Sequence, residues 1–106
     1  VLTCWVYLGP SAPHRADTAF NHLLDAQGRR WAQDDGLGWR RADWQPGQTL
    51  WQWFHLSLPA DLPAGDYWHY IGLYSWRDGQ RAQVLDEKGA WLSDGLKLGP
   101  IRIERP

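Results

Sequence analysis

The side chains that could do chemistry in this 106-residue chain are few and scattered. Its four histidines, His14, His22, His55 and His69, form no His-x-His or His-x-x-x-His pair, the spacings that bring two imidazoles to one metal ion. The sole cysteine, Cys4, excludes an internal disulfide and a cysteine metal cluster, and reads as a buried thiol acting as a small hydrophobe. A glycosidase needs two carboxyls facing each other across a cleft, ~5–9 Å apart. Asp34 and Asp35 are adjacent instead, and on an extended backbone they point to opposite faces. The chain has no Gly-x-Ser-x-Gly elbow, and its Asp-x-x-Gly sequences come without a glycine-rich phosphate loop. The sequence therefore assigns no catalytic residue, no metal ligand and no cofactor.

Recognition chemistry is better represented, because nine of the residues are tryptophan. An indole offers a flat apolar face and one N–H donor, which suits it equally to a small core and to stacking on a ligand. Between residues 48 and 58, Leu50, Phe54, Leu56 and Leu58 alternate with Trp51, Trp53 and His55. Between residues 66 and 76, Ile71 and Leu73 alternate with Trp68, Tyr70, Tyr74 and Trp76. If the aliphatic sets face the core, the rings face outward. Trp51, Trp53, Trp68 and Tyr70 then become candidate platforms for carbohydrate, whose CH faces stack on aromatic rings. The same rings could instead pair across strands or lie under a loop or a neighbouring domain. Trp39 and Trp44 are expected to pin a long loop, residues 34–47, against the sheet, while the sequence leaves the contacts of Trp31 and Trp91 open.

The elements that must position these rings are strands. Ten of the twelve acids are Asp and nine of the eleven bases are Arg, so the usual fillers of exposed helix faces, Glu and Lys, are nearly missing. Asp pairs with Gly at Asp35-Gly36, Gly65-Asp66, Asp78-Gly79 and Asp94-Gly95, which is turn chemistry. Alternation predicts about seven strands, at residues 2–8, 18–24, 29–33, 48–58, 66–76, 81–85 and 96–104, the last interrupted at Gly99-Pro100. The echo between Leu24-Asp25-Ala26-Gln27-Gly28 and Leu85-Asp86-Glu87-Lys88-Gly89 reads as one turn device used twice. Asp61, Pro63, Gly65 and Tyr67 read as a corner between sheets, with the tyrosine hydroxyl tied to backbone. The expected fold is all-β, an immunoglobulin-like two-sheet antiparallel sandwich, with residues 1–106 forming one domain. A net charge of −1 supplies no field to gather phosphates, so nucleic acid is not an expected partner. The longest nearly apolar run, residues 1–8, is far short of the ~20 residues that span a bilayer. No charged leader precedes it, and this abrupt apolar start suggests a piece of a longer protein.

A series of motifs carries a family resemblance. In order they are Phe20-Asn21-His22-Leu23-Leu24-Asp25-Ala26-Gln27-Gly28, Trp44-Gln45-Pro46-Gly47, and Leu58-Pro59-Ala60-Asp61-Leu62-Pro63-Ala64-Gly65-Asp66-Tyr67. Ile71-Gly72-Leu73-Tyr74 and Val84-Leu85-Asp86-Glu87-Lys88-Gly89 follow. This succession resembles a soluble C-terminal domain of bacterial membrane proteins similar to dolichyl-phosphate-mannose protein mannosyltransferases and oligosaccharyl-transferase-like proteins. It covers about residues 20–103. The resemblance implies an extracytoplasmic accessory domain tethered to the membrane through its parent, with the catalytic acids lying in the parent's membrane part. Implied partners are that membrane-embedded part and a glycan or lipid-linked sugar. His69 departs from the pattern, standing where a Leu-like core residue is usual, and Trp51, Trp53, Trp68 and Tyr70 are heavier than the mixed polar residues expected there. Two other functions fit the residues: an autonomous carbohydrate-binding module, and a structural domain docked on its parent.

Overall fold

The computed structural model describes residues 2–8, 18–36, 50–75 and 77–104, with the backbone alone for residues 2–8, 50 and 51. The described residues contain no helix and eight strands: β1 (Leu2–Leu8), β2 (Thr18–Leu24), β3 (Arg30–Gly36), β4 (Leu50–Leu56), β5 (Gly65–Tyr74), β6 (Val84–Leu85), β7 (Trp91–Ser93) and β8 (Leu96–Ile103). Every pairing is antiparallel. A four-stranded sheet runs β3-β2-β5-β8, β1 pairs with β4, and β6 pairs with β7 as a small hairpin. The chain is all-β, as its alternation predicts. With β1 and β4 as strands B and E, the four-stranded sheet follows the C′-C-F-G order of immunoglobulin-type domains.

The core forms where the inward faces of the two layers meet. Leu23 of β2 and Tyr67 of β5 cluster with Leu56 of β4 and with Leu62, while Ala19 and Ile71 cluster with Phe54. Phe54, Leu23 and Leu56 are fully buried. Burying each such side chain stabilises the fold by about 1.5–3 kcal/mol. The corner is also as expected, since the Tyr67 hydroxyl donates to the Pro63 carbonyl at 2.6 Å, fixing where the chain crosses between layers.

The two echoed turns share their hydrogen bonds to backbone amides. Asp25 Oδ1 accepts from the amides of Gln27 and Arg29, and Asp86 Oδ1 accepts from those of Lys88 and Ala90. Gly28 and Gly89 follow with φ of 81° and 84°, a region that a side chain would strain. The second turn differs from expectation in what it joins. It links the short strands β6 and β7, whereas residues 81–85 read as one strand and residues 91–93 as none. Arg81 makes only an isolated bridge to Tyr74. Residues 34–36, expected to open a long loop with a turn at Asp35-Gly36, instead extend β3 by pairing with Ala19, Phe20 and Asn21 of β2. Trp39, Trp44, Trp76 and residues 37–47 of that loop lie outside the described residues, as do the side chains of Cys4 and Trp51.

Candidate functional site

Alternation on β4 and β5 places the rings as expected. On β4, Gln52, Phe54 and Leu56 are buried, while Trp53 is 51% exposed and His55 is exposed. On β5, Tyr67, His69 and Ile71 are buried, and Trp68, Tyr70 and Tyr74 on the opposite face are partly covered. Because the buried residues of both strands meet in one core, the two ring sets lie on opposite outer surfaces. The four candidate platforms therefore do not form one site. Trp53 stands with His55, their rings edge-to-face at 5.6 Å. Trp68 and Tyr70 belong to the four-stranded sheet. Trp51 lies on β4 opposite Tyr7, with no described side chain.

The outer face of the four-stranded sheet is a polar-aromatic surface built from three strands. Phe20 of β2 lies opposite Gly72 of β5, and His22 opposite Tyr70. A Cβ on Gly72 would come within 2.5 Å of the Phe20 ring, so the glycine leaves the slot into which that ring packs. Phe20 is only 2% exposed on this nominally outward face. Its ring centroid lies 5.0 Å from His22, 6.0 Å from Tyr70 and 6.1 Å from Tyr74. The Arg81 guanidinium covers it at 4.5 Å and pairs with Asp94 at 3.2 Å. Cation–π contacts of this kind contribute ~0.5–1 kcal/mol at exposed sites.

Each ring on this face has an ionic or polar companion. The Tyr70 hydroxyl donates to Asp94, and the Tyr74 hydroxyl donates to Asp35 Oδ2 at 2.6 Å. Lys97 lies 4.7 Å over the Trp68 ring. The hydrogen bond to Asp94, then burial, raises the pKa of Tyr70, while the same bond and Arg81 hold Asp94 below the ordinary carboxylate value. Phe20, His22, Asp35, Tyr74, Gly79 and Arg81 enclose a depression of about 220 Å³. His22 is partly buried, and burial first, then the charges of Arg30 and Arg81, lower its pKa below 6.5 despite the opposing pull of Asp35. Its ring nitrogens make no hydrogen bond among the described residues.

A second depression of about 230 Å³ lies between the Asp25 turn and the corner, walled by Trp31, Pro63, Asp66 and Tyr67 among others. Its acids are already engaged. Asp25 binds two backbone amides with Oδ1 and the Trp31 indole N–H with Oδ2, and Asp66 pairs with Arg102. The indole bond foremost, then those amides, lowers the Asp25 pKa. This end of the domain is structural, and Trp31 owes its place to Asp25 and to the stacked Arg29 guanidinium at 4.2 Å.

The polar residues of the core were not foreseen. Asn21, fully buried, accepts from His69 Nδ1 at 2.9 Å, because a carboxamide oxygen can only accept. Burial lowers the His69 pKa and keeps the imidazole neutral. The unusual His69 thus fills a core position through a partner 48 residues away. Asp34 and Asp35 diverge as expected: Asp34 accepts the His55 amide from β4 at 2.7 Å, and Asp35 joins the outer face. Among the described residues, no group of three or more His, Cys, Asp and Glu gathers around a metal-sized space. Comparison with protein-family models, with curated proteins and with solved structures gives no match.

Proposed function

We propose that this domain is a non-catalytic recognition module, the extracytoplasmic accessory part of a membrane glycosyltransferase, meeting glycan or acceptor through the outer face of its four-stranded sheet. The observation that carries the reading is the combination on that face of partly exposed rings with hydrogen-bonding groups beside them: Trp68 with Lys97, Tyr70 with Asp94, and Tyr74 with Asp35. Aromatic surface next to polar donors and acceptors is the chemistry that holds a sugar, whose rings are apolar on their CH faces and polar at their edges. The motif order from Phe20 to Gly89 supports the glycosyltransferase context. A non-catalytic role accords with acids committed to turns and ion pairs, as Asp25, Asp66, Asp78, Asp86 and Asp94 are.

A second reading, docking on a parent protein, is favoured by a separate observation. Leu85, Trp91, Leu92, Leu96 and Leu98 are all 48% or more exposed along the β6–β7 hairpin and β8. Titration with mannose and short oligosaccharides, followed by Trp fluorescence, separates the two. The recognition reading expects a saturable change at high micromolar to millimolar ligand that Trp68→Ala abolishes. A flat response leaves docking as the better account. The glycosyltransferase context falls if the gene encodes no transmembrane helices upstream of Val1.

A further inference from the structure

We propose that the depression formed by His22, Asp35, Tyr74 and Arg81 is a binding site for a single neutral pyranoside ring, with His22 as its recognition residue. The inference deepens the recognition reading and rests on it.

Size comes first. A volume of about 220 Å³ lies below the ~300–1,000 Å³ typical of drug-sized ligand pockets, and suits one ring. Charge narrows the class further. The Arg81 cation that closes the site is matched by its ion pair with Asp94, and the Arg30 charge acting on His22 is opposed by the Asp35 carboxylate, so the site offers no surplus positive charge to select a phosphate or carboxylate. The absence of a His/Asp/Glu cluster among the described residues argues against a metal ion here.

Open hydrogen-bonding capacity then identifies the working group. Tyr74 already donates to Asp35, Tyr70 to Asp94, and Arg81 pairs with Asp94. His22 is different. Its lowered pKa leaves the ring neutral at pH 7, with one N–H donor and one acceptor nitrogen. Neither nitrogen has a hydrogen-bond partner among the described residues, and packing on Phe20 at 5.0 Å steadies the ring. A neutral imidazole both donates to and accepts from hydroxyl groups, and a pyranoside presents hydroxyls in adjacent pairs. In the second depression Asp25 and Asp66 are already engaged by the Trp31 indole, backbone amides and Arg102, and no imidazole lines the wall.

The test follows the His22 and Trp68 rings by NMR in histidine- and tryptophan-labelled protein at pH 7.5, their signals assigned by comparison with His22→Gln and Trp68→Phe. Methyl pyranosides of the manno, gluco and galacto series are added to 50 mM, with acetate and phosphate as controls. The expected result is a saturable His22 shift with at least one pyranoside, no shift at His55 on the opposite face, and affinity reduced roughly tenfold in His22→Ala, the loss of about one net hydrogen bond. Saturable shifts at Trp68 with His22 silent overturn this site and leave the recognition reading standing. A His22 response to acetate or phosphate but to no pyranoside overturns the ligand class. Silence at every ring, with pyranosides and with oligosaccharides, overturns both. The wild-type shift decides even if His22→Ala fails to fold.

Discussion

The two outward aromatic faces of this domain have the same origin in sequence and different fates in structure. On β4, alternation leaves Trp53 half exposed, beside His55. On the four-stranded sheet the same alternation brings Trp68, Tyr70 and Tyr74 outward, and there Lys97, Asp94, Asp35 and Arg81 close in around them. Phe20, at an outward position, is more deeply buried than Ile71 at an inward one. The difference teaches that alternation decides the direction of a ring, while segments distant in sequence decide its surroundings. The four-stranded sheet is organised into a second, polar-aromatic layer, in which the Trp53–His55 pair has no part.

Substitutions should separate the faces sharply. Phe20→Ala is expected to cost about 3–5 kcal/mol, as for a buried core phenylalanine, a large share of the ~5–15 kcal/mol that holds a domain together. Urea denaturation checks this, and a loss under 1 kcal/mol would mean that the second layer does not exist. Gly72→Ala forces its Cβ against the Phe20 ring and is expected to cost about 1–3 kcal/mol by the same measurement. A Gly72→Ala protein of unchanged stability would show that the ring has room to move aside.

Acidification gives a smaller effect confined to the four-stranded sheet. His22 and His69 both have folded-state pKa values lowered from 6.5. As pH falls below 6.5 the unfolded chain takes up protons that these folded imidazoles resist, so stability is full above that value and declines beneath it. The lowered carboxyls of Asp25 and Asp94 act only below 3.8, outside this window. Urea midpoints should therefore drop between pH 7.5 and 5.5, with a shallower drop in His69→Leu. An identical drop in that variant would remove His69 from the account. Trp53→Ala should cost less than Phe20→Ala, about 1 kcal/mol, because the ring keeps half its surface in water and gives up an edge-to-face contact with His55. A cost above 2 kcal/mol would show that the β4 face is as organised as the other.

Much of the fold was legible because its signals are local. The period of two on β4 and β5, the Asp-x-x-Gly turns and the Pro63–Tyr67 corner each act within a few residues, and each stands as read. The β6–β7 hairpin was missed because strands of two and three residues carry too little alternation to register. The pairing of His69 with Asn21 was illegible for another reason: it depends on strand register across 48 residues, which no local pattern specifies. The candidate site was half legible. Trp68 and Tyr70 were found by alternation, and Trp53 too, though on the wrong side of the molecule to join them. His22 and Arg81 gave no signal, because His22 occupies an ordinary alternating position and Arg81 reaches Phe20 from outside any regular strand.

The proposal is that the four-stranded sheet presents a ligand-facing aromatic surface in which the half-exposed Trp53 of β4 takes no part. It is tested most directly by NMR with a soluble paramagnetic probe, recorded with and without saturating oligosaccharide. The account predicts strong broadening of the Trp53 indole in both states and none at Phe20 or Phe54. It predicts partial broadening at Trp68 and Tyr70, relieved when the sugar is present. Broadening at Phe54, or a Trp68 signal indifferent to every sugar offered, would contradict it.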